Sequence, residues 1–183
     1  MKKYLTEKGE TFVSILLLVA IGLLFVYLRG CVKQFHEAYL LTAVNELGHR
    51  MEKDFTETQH CPLDLDKFTE KNTWQHAKAL PCNFSTYGSL WQKGRMSFGV
   101  MEEEDLCAVG GVFNKGAYSC SGFVYILPGN ATLEPGIYCW AADSKFCEKR
   151  FHLKQTDSLN RWKLYRMSDV SKWLLDKTPA WFL

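Results

Sequence analysis

The chain has 183 residues, 47% of them hydrophobic, and 22 Lys and Arg stand against 20 Asp and Glu for a formal charge of +2. Three lysines and one glutamate ahead of Gly9 account for that excess, so the remainder is formally neutral, which argues against a general affinity for nucleic acid or anionic surfaces. No G-x-S-x-G, H-E-x-x-H or phosphate-loop pattern occurs, and the reading is of a protein that is not an enzyme and takes no cofactor.

The chain opens on a basic leader, residues 1–9, MKKYLTEKG. Phe12 to Leu28 follows, seventeen residues without a charge. That length is at the short end for a helix that spans a bilayer. The run can extend to Gly30, with Arg29 reaching back to the interface. Lys2, Lys3 and Lys8 before it place the N-terminus in the cytoplasm and the rest of the chain outside. A cleaved secretory signal would end in a small-residue site, whereas here Leu28, Arg29, Gly30 and Cys31 follow.

A second helical pattern covers 31–58. Val32, Phe35, Tyr39, Ala43, Leu47, Met51 and Phe55 recur every three or four residues among polar ones, which is one apolar stripe on a polar helix. No Pro interrupts Glu10 to His60, so one continuous helix is expected. Its half at 10–30 is apolar all round and its half at 31–58 is apolar on one side.

A short basic leader ending in Gly, an apolar segment and an amphipathic continuation together resemble the type IV pilins and the pseudopilins of type II secretion. Gly9 matches the residue before the scissile bond of those precursors, and Thr11, Phe12 and Val13 suit the positions after it. The resemblance implies cleavage between Gly9 and Glu10 by a prepilin peptidase and N-methylation of Glu10. It implies a single-pass precursor in a bacterial inner membrane that passes into a periplasmic or extracellular filament with other pilin or pseudopilin subunits. Two positions depart from the family pattern. Glu10 stands where an apolar residue is usual, and Ser14 stands where a glutamate is usual. The family glutamate resembles a counter-charge for a neighbour's free amine, and a carboxylate in an apolar bundle is costly unless paired. Its absence points to a minor or divergent subunit.

Residues 59–183 form the expected globular, β-rich domain. Six cysteines, Cys61, Cys82, Cys107, Cys120, Cys139 and Cys147, lie in it, on the side of the membrane where disulfides form. They allow many pairings. Joining sequence neighbours predicts Cys61–Cys82, Cys107–Cys120 and Cys139–Cys147, the last resembling the closed C-terminal loop of many pilins. Cys31 is left over, as a small apolar residue of the helix. No C-x2-C or H-x3-H spacing occurs, so no metal site is indicated.

Strand candidates are Arg95–Met101, Cys107–Phe113, Tyr118–Leu127, Gly136–Trp140 and Trp162–Met167, rich in aromatic and β-branched residues and set off by Gly110-Gly111, Pro128-Gly129-Asn130 and Pro135-Gly136. Cys61–Trp74 reads as a loop with one helical turn, and Ser171–Asp176 as a last turn. Short connections favour an antiparallel meander with one face on the helix. The expected fold class is α+β: a long N-terminal helix, half membrane-spanning and half amphipathic, on a small disulfide-stapled antiparallel sheet.

Charge is segregated along this domain. Glu102, Glu103, Glu104 and Asp105 form an acidic block, and seven Lys and Arg between Lys145 and Arg166 stand against Glu148 and Asp157. Phe146, Phe151, Trp162 and Tyr165 are interleaved. The favoured reading is a solvated face with the aromatics turned inward. Subunit docking is the second reading. A single-stranded DNA site at Lys149, Arg150, Lys154 and Arg161 is the least favoured. Asn83-Phe84-Ser85 and Asn130-Ala131-Thr132 match the glycosylation sequon, which would suit the alternative of a signal-anchored protein with a lectin-like ectodomain.

Overall fold

A computed structural model describes residues 2–68, 75–76, 91–93, 96–103, 106–114, 120–129, 133–141, 145–159 and 162–168, with backbone alone for 2–11, 75–76, 91–93, 103 and 159. Two compact units are distinguished, Met1–Ala38 and Tyr39–Leu183. One helix, α1, runs over Lys2–Thr58 and contributes to both.

In the first unit every large apolar side chain from Phe12 to Leu28 is 45–71% exposed. A helix that shows apolar residues on all sides belongs in a low-dielectric surround. α1 is long and apolar enough to cross a membrane, and it alone is so among the described residues.

The second unit is α+β. Its strands are β1 Gln75–His76, β2 Trp91–Lys93, β3 Met96–Glu103, β4 Leu106–Phe113, β5 Ser121–Ile126, β6 Gly136–Ala141, β7 Asp157–Leu159 and β8 Trp162–Arg166. They form one sheet in the order β1-β2-β3-β4-β5-β6-β8-β7, with every pair antiparallel. The five longer strands fall where the apolar runs predict them, within three residues at each end. The meander holds from β1 to β6. The chain then passes through a π-helical turn, Lys145–Arg150, and lays β7 outside β8. A 3-10 turn, Leu65–Lys67, is capped by the Asp64 carboxylate accepting from the Asp66 N–H at 3.0 Å.

Period-two alternation sorts the strands between two buried faces. Phe98, Val100, Val109, Phe123, Tyr125, Cys139 and Tyr165 share a core with Leu40, Leu41, Val44, Leu47 and Met51 of α1. On the other face Ala108, Val112, Val124, Ile126, Trp140, Trp162 and Leu164 form a second core. The expected sheet lays one face on the helix, and its second face is buried as well. The near-continuous apolar run LCAVGGVF of β4, buried along its whole length, is the pattern of a strand covered on both sides.

The helix stripe is also shifted from the expected one. Leu40, Leu41, Val44, Leu47 and Met51 are buried, Tyr39, Ala43 and Phe55 lie at the flanks, and Val32 and Phe35 are half-exposed. Residues 39–44, YLLTAV, are apolar on nearly all sides, so spacing could not choose the phase. Contact with β4 does. A Cβ on Gly111 would meet Leu40 and Val44 at 2.8 Å, so Gly110-Gly111, expected as punctuation, lies inside β4 where the helix comes closest.

Candidate functional site

Three features of the second unit stand out. The first is the exit of α1. Thr58 returns its hydroxyl to the Asp54 carbonyl at 2.9 Å, and Gln59 turns left-handed at φ 58° while its N–H reaches the Phe55 carbonyl at 2.7 Å. This is a helix stop without the usual glycine. Two residues on, Cys61 is bonded to Cys107 at the start of β4, with Cα atoms 5.6 Å apart. The bridge fastens the helix exit to the β3–β4 end of the sheet. Beside it opens a cleft of about 230 Å³, walled by Phe55, His60, Glu102, Leu106 and Pro128.

This bridge corrects the expected pairs Cys61–Cys82 and Cys107–Cys120. Neighbour pairing assumes local loops, whereas α1 returns the chain to β4 across the sheet. Cys120 is disulfide-bonded, at φ 65°, and Cys82 lies outside the described residues. Cys139–Cys147 is bonded as expected, with Cα atoms 5.9 Å apart, and Cys31 is a free thiol.

The second feature is a polar network that ties α1 to β5. The Tyr125 hydroxyl donates to Glu52 at 2.7 Å, and His49 Nδ1 lies 3.1 Å from the same oxygen and 3.5 Å from the carboxylate. With the hydroxyl proton committed to Glu52, His49 is the donor to Tyr125. The ring of Tyr125 fills the space that a Cβ on Gly48 would need, so this glycine admits the tyrosine beneath the helix. Burial first, and the Glu52 carboxylate second, push the Tyr125 phenol well above its usual range. Sequence reasoning missed this trio. His49 and Glu52 share a helix face by their spacing, but nothing local names a residue 73 positions away.

Tyr125→Phe should therefore lower stability by about 1.5 kcal/mol, the scale of a hydrogen bond to a charged group. A phenol whose folded pKa is raised favours the folded state below about pH 10, and that contribution is lost as pH rises further. Denaturant unfolding of the full chain in detergent should show a fall in stability above pH 10 that the Phe variant lacks in part. An unchanged midpoint at neutral pH would remove the role of the trio.

The third feature is the basic segment. Phe146, Phe151, Trp162 and Tyr165 are all buried. Phe146 and Phe151 pack edge to face with each other at 5.0 Å, and Phe151 with Phe123 at 5.4 Å. Tyr165 donates to Glu148 at 2.9 Å, which holds the π turn on β8. Lys149 and Lys154 are left on the surface. Among the described residues from Lys145 to Arg166 no Phe, Trp or Tyr is exposed, so the stacking platform a single strand of DNA needs is not formed by them. Arg150 is half-buried, and Arg161 lies outside the described residues. On the acidic side Glu102 is exposed, Glu103 ends β3, and Glu104 and Asp105 lie outside.

Gly9 and Glu10 fall within α1, in the part described by its backbone. Both sequons and Ser171–Asp176 lie outside the described residues. No group of three or more His, Cys, Asp or Glu that could hold a metal occurs among the described residues. No family model, curated protein or solved structure matches this chain. The described surface carries a cleft beside the helix exit and exposed lysines on the segment after the π turn.

Proposed function

We propose that this chain is a filament subunit of the pilin or pseudopilin kind, a minor one, with no chemistry of its own. The observation that carries the reading is α1. One unbroken helix presents apolar side chains on every side from Phe12 to Leu28, and its later turns, from Leu40 to Met51, pack into a disulfide-bonded sheet domain. A plain membrane anchor has no need of a helix that continues into the domain core. A filament subunit does, because it must carry force and position from its packed helix to its outer domain.

In this reading the apolar half is stored in the inner membrane with residues 1–9 in the cytoplasm. A prepilin peptidase removes the leader after Gly9. The subunit then leaves the bilayer and exchanges lipid contact for packing against neighbouring helices. Ser14 supplies no counter-charge for a neighbour's amine. Glu10 stands beside the new amine and serves in its place, a poorer arrangement that suits a subunit used in few copies.

Gly9→Val tests this directly. A branched side chain at the scissile bond should leave the precursor uncut in the membrane fraction and remove the chain from filaments sheared off the cells. Presence of the uncut variant in sheared filaments at the normal level would end the proposal.

A further inference from the structure

The bridges Cys61–Cys107 and Cys139–Cys147 differ in their access to solvent. Cys139 and Cys147 are wholly buried, in the core that includes Phe146 and Phe151. Cys61 is half-buried, and with Cys107 it lines the cleft at the exit of α1. That cleft, about 230 Å³, has room for one thiol-bearing side chain and not for a folded domain. Gln59, His60 and Glu102 make much of its wall polar, which suits a hydrated thiolate. Thiol–disulfide exchange begins when a thiolate reaches one sulfur of a bridge, so access decides which bridge reacts.

We infer that the cleft is a thiol–disulfide exchange site, at which an external dithiol opens and re-forms the Cys61–Cys107 bridge while Cys139–Cys147 stays closed. The attacking thiolate bonds to Sγ of Cys61, the more exposed of the two cysteines. The Cys61–Cys107 bond breaks, and Cys107 leaves as a thiolate that takes up a proton. The second thiol of the dithiol gives up its own proton and attacks the sulfur of the first. Cys61 is released as a thiolate and is protonated in turn. The dithiol loses one electron pair and the bridge gains it, and the reverse sequence forms the bridge.

Opening the bridge loosens the end of α1. Gln59, two residues before Cys61, is left-handed at φ 58°, a conformation that costs a residue with a Cβ. Once the bridge is open this turn can relax and part from β4, while Tyr125 still holds Glu52. Glu102 tunes the reaction. It stands directly opposite Cys107 across the β3–β4 pair, on the same face of the sheet, and its exposed carboxylate repels an incoming thiolate. Exchange needs only the folded domain, so it proceeds whether or not the chain enters a filament.

Dithiothreitol applied to the folded full chain in detergent tests this, with free thiols trapped by N-ethylmaleimide and located by peptide mapping. Cys61 and Cys107 should become labelled about tenfold faster than Cys139 and Cys147, or more. Their rate should rise in proportion to dithiothreitol and stay unchanged in about 1 M urea, which speeds any opening that passes through unfolding by about tenfold. Glu102→Gln should raise the rate about threefold at low salt and less at high salt, the effect of removing one exposed like charge. Equal rates for the two bridges, or a Cys61–Cys107 rate that climbs with urea, would overturn the inference. An unchanged rate in the Glu102 variant would place the attack outside the cleft and overturn it as well.

Discussion

Replacing Cys61 and Cys107 together by serine should cost the domain about 4 kcal/mol, against about 2.5 kcal/mol for Cys139 and Cys147 together. The difference comes from loop length. The first bridge closes a separation of 46 residues and the second one of 8. In the chain-entropy account the longer loop restrains more of the unfolded ensemble. The first bridge also ties the exit of α1 to β4, so its loss frees the last turns of the helix, while Tyr125 still holds Glu52. Thermal unfolding of the full chain in detergent, with and without reductant, would rank the two. A larger loss from the Cys139–Cys147 pair would contradict the ranking. Peptide mapping without reductant should find Cys61–Cys107, Cys139–Cys147 and a bonded Cys120, with Cys31 free.

Leu18→Asp should abolish membrane storage and incorporation into filaments while the outer domain stays folded. Leu18 is 68% exposed near the middle of the apolar half of α1. A carboxylate there costs about 2.5–3.5 kcal/mol at the centre of a bilayer helix, and the leucine it replaces was favourable. The same carboxylate would be buried among apolar helices in a filament, where an unpaired charge is again costly. The core that includes Leu40 to Met51 and the sheet is untouched, so the circular dichroism and the Cys61–Cys107 bridge should persist. A variant found in filaments at the normal level would separate the apolar half of α1 from assembly.

The continuous helix was legible because no Pro breaks it and its two halves differ so plainly in composition. The five longer strands were legible because β-branched and aromatic runs alternate with glycine and proline. Other features were set by partners far along the chain. The phase of the helix stripe depends on where Gly111 lets Leu40 and Val44 approach. The Cys61–Cys107 bridge depends on which strand the helix exit meets. The short strands β1, β2 and β7 are held by neighbours rather than by their own propensity, and the π turn closes around the Cys139–Cys147 bridge. The burial of the second sheet face could have been read from LCAVGGVF, whose apolar residues do not alternate with polar ones. The aromatics between Lys145 and Arg166 turn inward, as the favoured reading of that segment has them, and Lys145, Lys149, Lys154 and Arg166 are left on its surface.

The central claim is that this chain is processed and assembled through its N-terminal helix. Intact-mass measurement of native protein recovered from its own cells tests it most directly. The account predicts a chain that begins at Glu10, with its amine methylated, and with the cysteines bridged as above. A chain that retains residues 1–9, or one that begins near Cys31, would contradict it.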